Sequence, residues 1–150
     1  MTELRALLDT NILVYAVHTD SPFYKTARAF VTETLKGARP CCVCPQVMWE
    51  FFAIITDAKR ISSPLTPAQA FKEMNVYWDN PFIEKIFSLP HAITTLEKLS
   101  RRYPITGQHI HDAHLIATMI DNGVTTLYSA DTGLAQYREI KVINPFDRQY

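Results

Sequence analysis

No apolar run in the chain approaches the ~20 residues needed to span a bilayer, so a membrane protein is not expected. The four glycines, Gly37, Gly107, Gly123 and Gly133, are scattered and build no glycine-rich phosphate loop. No serine stands in a GxSxG turn, which removes the nucleophile elbow of the α/β-hydrolases. No HExxH zinc motif is present either, although His109, His111 and His114 stand close together. Those histidines are expected at surface or capping positions. Cysteine is sparse, and Cys41, Cys42 and Cys44 are odd in number and crowded into one apolar stretch. They fit small residues of a buried strand in a reduced, cytoplasmic setting better than a disulfide framework. Glu3 and Arg5 precede a very short apolar segment, which predicts no secretory signal. Net charge is also absent: 15 basic residues balance 15 acidic ones. A protein that coats nucleic acid through its bulk field is thereby excluded, but a local patch, or a metal that touches phosphate directly, is not.

What remains is an ordinary soluble composition, 47% hydrophobic and 20% charged over 150 residues. Residues 1–150 are expected to form one domain with a sizeable core. The unusual feature is four acids placed inside or at the ends of apolar segments: Asp9, Glu50, Asp112 and Asp131. Asp9 ends Ala6-Leu7-Leu8 and is followed by Thr10-Asn11 and Ile12-Leu13-Val14. Glu50 is the only charge between Val47 and Thr56. A carboxylate on such a face is costly unless something compensates it. One divalent cation would compensate all four.

Hydrophobic periodicity predicts alternating strands and helices. Strands are expected over 5–9, 41–44, 82–87, 125–128 and 141–143. Helices are expected over 11–16, from Ser21-Pro22 to Gly37, from Pro45 to about Ala58, from Thr66-Pro67 to Trp78, from Pro90 to about Tyr103, and over 108–122. The alternation argues for an α/β domain with a mostly parallel sheet. In such sheets the site lies beyond the carboxyl ends of the strands. Asp9 and Asp131 sit at such ends, and Glu50 is one turn into the helix after the second strand. Helix phase turns Asp112 inward with Ile116 and Met119, and turns Asp121 out to solvent. Asp57 reads as a surface acid at a helix end.

Each acid also has a bland explanation. Asp9 can cap the next helix, Asp112 can be a first-turn acid favoured by the helix dipole, and Asp131 can be a turn residue. Glu50 is the hardest to explain away, because no basic residue lies near it in sequence. Trp49, Phe51, Phe52 and Trp78 fall at helical positions and read as core or interface. If the four acids converge, they suit magnesium or manganese, which take hard oxygen ligands and keep several waters. Clustering also raises the pKa of at least one, which opens a proton-transfer role for Glu50 or Asp131.

In these segments the chain resembles the PIN-domain ribonucleases, and most closely the VapC-like toxins of type II toxin–antitoxin pairs. The resemblance rests on Leu8-Asp9-Thr10-Asn11-Ile12-Leu13 and Gln46-Val47-Met48-Trp49-Glu50-Phe51. It continues in His111-Asp112-Ala113-His114-Leu115-Ile116-Ala117, Tyr128-Ser129-Ala130-Asp131 and the closing Val142-Ile143-Asn144-Pro145-Phe146. It implies a PIN-like three-layer α/β/α sandwich around a parallel sheet of about five strands. It implies a metal-dependent endoribonuclease, with RNA as substrate and Mg2+ or Mn2+ as cofactor. Asp9, Glu50, Asp112 and Asp131 match the acidic quartet, with Asp9 and Asp112 the most direct metal ligands. Thr10, Asn11 and Ser129 match the small polar residues that support it. The resemblance further implies a homodimer and a small antitoxin that covers the site. The family often carries Asp-Phe shortly after the fourth acid, where this chain has Gly133-Leu134. Three other readings remain: a PIN nuclease of RNA maturation or quality control, a catalytically silent PIN fold that binds RNA or protein, and cleavage of DNA. Lys25, Arg28, Lys59 and Arg60 are candidate RNA contacts.

Overall fold

The computed structural model describes residues 5–147. Residues 1–4, which include the Glu3 of the expected polar start, and 148–150 lie outside the described residues. In chain order the elements are β1 (Ala6–Leu8), α1 (Thr10–Tyr15), α2 (Tyr24–Leu35), β2 (Cys41–Val43), α3 (Pro45–Ile55) and α4 (Pro67–Trp78). They continue with β3 (Ile83–Lys85), α5 (Ala92–Ser100), α6 (His109–Asp121), β4 (Thr126–Tyr128), a 3-10 turn (Thr132–Gln136) and β5 (Lys141–Ile143).

Local chemistry accounts for most of these boundaries. Thr66 and Gln69 form a reciprocal capping box that opens α4, with Pro67 in the first turn. Gly37 stops α2 with a φ of 84°, a conformation that favours glycine. Several expected boundaries shift: the helix expected from Pro90 to about Tyr103 is Ala92–Ser100, the strand expected over 82–87 is Ile83–Lys85, and two others move for visible local reasons. The start predicted at Ser21-Pro22 is a separate turn, because the Ser21 hydroxyl accepts from Phe23 N at 3.1 Å, and α2 begins only at Tyr24. The third helix ends at Ile55, short of Ala58, because Asp57 accepts from Lys59 N at 2.9 Å and closes a tight turn.

The five strands run parallel in the order β3-β2-β1-β4-β5. The chain moves outward from β1 through β2 to β3, then returns to the other side of β1 for β4 and β5. Right-handed crossovers therefore put α1–α4 on one face and α5–α6 on the other. The helix contacts agree: α1 packs on α2 and α3, α3 on α4, and α5 on α6. The result is the three-layer α/β/α sandwich. Leu7, Leu8, Val43 and Leu127 from the sheet, and Leu13, Phe51 and Ile116 from the two helical layers, are fully buried. Strand order reverses between β1 and β4. The gap beyond their carboxyl ends is where a doubly wound sheet presents a site. No described helix is long and apolar enough to cross a membrane.

Candidate active site

Asp9 leaves β1 at this switch point and caps α1. Its residue is only 7% exposed. Oδ1 accepts from Thr10 N at 2.8 Å, and Oδ2 accepts from the Ser129 hydroxyl at 2.7 Å and from Asn11 Nδ2 at 3.4 Å. Ser129 arrives from β4, across the gap. Its Oγ also accepts from Asn11 Nδ2 at 3.1 Å and from Asp131 N at 3.0 Å. Asn11 Oδ1 in turn accepts from Ala130 N at 3.0 Å. The β1 and β4 ends are thus tied together through one carboxylate. Thr10 extends the network by donating from Oγ1 to Glu50 Oε2 at 3.1 Å. Thr10, Asn11 and Ser129 each therefore contact an acid of the quartet.

Burial holds the Asp9 carboxyl above the usual carboxylate range. The bonds from Ser129 and Thr10 N pull it back in part, and the charges of Glu50 and Asp131 push it up again. Asp9 therefore senses both of these acids. Asp112 stands in the first turn of α6. Its charge is felt by Tyr137, whose phenol is raised first by burial and then by Asp112.

Asp9, Glu50, Asp112 and Asp131 all line one open groove of about 1000 Å³, with Thr10 and Asn11 between them. Among the described residues, none of the four forms an ion pair with lysine or arginine. Nor do any three histidine, cysteine, aspartate or glutamate side chains there form a ready-made metal cage. The donor set still fits a hard cation: all four are oxygen ligands and lack cationic partners. Magnesium is usually held by one or two carboxylates, its own waters and substrate phosphates rather than by an all-protein cage.

The structure corrects the expected burial. Glu50, Asp112 and Asp131 are exposed, and only Asp9 is buried. Glu50 and Asp112 lie on the edge of their helices' buried faces, where the groove opens. Asp121, expected in solvent, has a side chain only 4% exposed. It is covered by α5, where Thr95 Oγ1 donates to it at 2.6 Å and His91 Nε2 stands 3.4 Å away. The bland roles are also realised. Asp9 does cap α1, Asp112 is a first-turn acid, and Asp131 caps the 3-10 turn by accepting from Gly133 N at 2.8 Å.

Several groove residues were not singled out as functional in the sequence. His109, His111 and His114 line it together with His18, and so does Trp49. Proximity to Asp112 on one helix end was the available signal for the first three. Of the four proposed basic contacts, only Arg60 reaches the groove. Arg28 lines a different cleft and donates to the Ala16 carbonyl at 3.5 Å; Lys25 and Lys59 line neither. Cys41 and Cys44 have the spacing of a redox or zinc pair, but both lie in or beside β2 as buried free thiols. Burial pushes Cys41 and Cys42 to about 12 and Cys44 to about 11.

Among curated proteins, ribonuclease VapC48 of Mycobacterium tuberculosis is 24% identical over 138 residues, covering 92% of this chain and 95% of its own length. The solved structure of Mycobacterium tuberculosis VapC20, described as a Sarcin-Ricin loop cleaving toxin, superposes with a TM-score of 0.64 at 12% identity, covering 87% of this chain and 93% of that one. A chain of a toxin–antitoxin complex from Klebsiella pneumoniae gives a TM-score of 0.57 at 17% identity, covering 93% and 97%. The family model described as PIN domain matches residues 6–140. With its sheet order, its switch-point groove and this match over most of its length, the chain belongs to the PIN-domain family.

Proposed function

We propose that residues 1–150 form one PIN domain that acts as a divalent-cation-dependent endoribonuclease, the toxin of a toxin–antitoxin pair. The observation that carries this reading is the groove at the β1–β4 gap, where Glu50, Asp112 and Asp131 share the lining with a buried Asp9 whose carboxyl is held high, none of the four paired with a cation among the described residues. Asp9 and Asp112 are the direct ligands of Mg2+ or Mn2+, with Glu50 and Asp131 completing the acidic rim. A bound cation there supplies an acidified water and screens the phosphoryl charge during hydrolysis. Ser129 and Asn11 hold Asp9 in one orientation, and Thr10 holds Glu50. Glu50 and Asp131 are solvent-reached and stand beside Asp9, so either can carry a proton to or from the reacting oxygens. VapC48 is named a ribonuclease and VapC20 a toxin, which supports the activity. The Klebsiella complex supports a small antitoxin as partner. The same reading makes the protein a cytoplasmic homodimer with RNA as its substrate.

Asp9→Asn and Asp112→Asn are each expected to abolish cleavage of RNA, with circular dichroism unchanged. Chelation by EDTA should silence the native protein, and added Mn2+ should restore it. Undiminished cleavage by both variants would sink the site.

A further inference from the structure

Trp49 is 63% exposed, immediately precedes Glu50 on α3, and stands on the groove wall. Leaving so large an aromatic in water forfeits the apolar burial that normally places it in a core. The contrast within the chain is direct. Trp78, the other tryptophan, is half-buried and meets Phe87 edge-on with ring centroids 5.9 Å apart. Phe52 packs against Phe71 on the same helical layer. Among the described residues Trp49 has no ring contact, cation–π contact or hydrogen bond through its indole N–H.

Its surroundings indicate what could lie on it. Ile54 and Arg60 line the same groove as Trp49, and so do the four acids. Arg60 is the one arginine or lysine lining the groove among the described residues. A ligand that fills this groove meets both the acids and an exposed indole face, which suits a charged backbone carrying flat rings. A nucleotide chain brings phosphates to the cation that those acids hold, whereas a protein that covers the groove must bring cationic side chains of its own to meet them. In a duplex the bases are stacked on one another and present no free face. An unpaired nucleotide presents one.

We infer that Trp49, next in the chain to Glu50, is the shelf on which one unpaired nucleobase of the bound RNA stacks. This rests on the nuclease reading of the same groove. Stacking on an indole tolerates every base, so Trp49 confers a strand preference and not a sequence preference.

The test uses the Asp9→Asn background, which separates binding from cleavage, and a short fluorescein-labelled RNA of mixed sequence, offered alone or annealed to its complement. Adding W49A should weaken single-strand binding roughly 5- to 150-fold, and adding W49F should retain most of it. W49A should leave duplex binding where it was. With W78F also present, Trp49 is the only indole, and its emission should be quenched by the single strand and not by the duplex. Single-strand binding by W49A as tight as its parent's would overturn the inference while leaving the nuclease reading intact. Loss of self-association by W49A with RNA binding unchanged would overturn it too, and would assign Trp49 to a protein contact. Conversely, absence of RNA cleavage by the native protein with Mg2+ or Mn2+ present, while Trp49 is still quenched by the single strand, would remove the nuclease reading and keep the shelf.

Discussion

Ser129→Ala removes one oxygen, yet that oxygen joins three parts of the site. The residue is 1% exposed. Its hydroxyl donates to Asp9 Oδ2 at 2.7 Å and accepts from Asn11 Nδ2 and Asp131 N at 3.1 and 3.0 Å. A hydrogen bond to a charged partner contributes about 1.5–3 kcal/mol, and a neutral one about 1 kcal/mol. Asn11 is only half-buried and Asp131 is exposed, so water replaces part of what they lose. The net destabilisation expected at neutral pH is therefore roughly 2–4 kcal/mol. Urea unfolding of the cation-free protein measures it.

The pH dependence separates this account from a packing defect. The Asp9 carboxyl is raised in the folded state above its ordinary 3.8. The folded protein therefore holds that proton more tightly than the unfolded chain does. Its contribution to stability is full below the ordinary value and is lost as pH rises through the folded one. Ser129 is the strongest influence holding the Asp9 value down. Without it the value climbs further, and the loss extends to higher pH. The gap between native protein and S129A should thus be small in acid, where Asp9 is protonated in both, and widest at neutral pH. The acid limb of the cleavage profile should move to higher pH in the same variant, because deprotonated Asp9 is needed to hold the cation. A stability gap that is flat with pH, together with an unmoved acid limb, would refute the reasoning.

Two further outcomes follow from local geometry. In Gly133→Ala the new Cβ would stand 3.1 Å from Asp131 Oδ1, so the carboxylate must give way. Cleavage should fall several-fold, while urea stability changes by less than about 1 kcal/mol, because the gain from restricting the unfolded chain is offset by the weakened Asp131 cap; full activity would show that the Asp131 orientation does not matter. Cys41, Cys42 and Cys44 should resist iodoacetamide at neutral pH in the folded protein and all react once it is unfolded, since burial holds their thiols at about 11 to 12. Mass spectrometry showing rapid native labelling would contradict that burial.

The strand–helix alternation was legible because each element carries its own local signal. Thr66-Pro67 with Gln69 writes a helix start into four consecutive residues, and α4 begins there. Gly37 writes a stop, and α2 ends two residues before it. Where the signal was ambiguous, the boundary moved. Ser21 can cap a helix or close a turn, and the choice depends on Phe23 packing against Tyr15 and Phe146, with ring centroids 5.2 Å away in each case. Phe146 is more than a hundred residues distant, and no local pattern can report it. The 3-10 turn at Thr132–Gln136 was not foreseen for a related reason: it is too short to have a period.

Asp112 and Asp121 show why the site was only partly readable. They share one helix, and phase alone ranks Asp112 as inward and Asp121 as outward. The structure reverses the burial. Phase describes the direction a side chain takes from the helix axis, but burial also depends on what covers that point along the axis. The carboxyl end of α6 lies under α5, so Asp121 is enclosed by Thr95 and His91. Its Oδ2 has no hydrogen-bond partner there. The amino end of α6 stands at the groove, so Asp112 can turn toward the core side and still meet water. Glu50 stands likewise near the start of α3, after β2. An acid that must bind a cation and reach a substrate needs both conditions, an inward direction and an uncovered end. The apolar neighbours in sequence record the first. Only the crossover that carries the chain from β3 to β4 supplies the second.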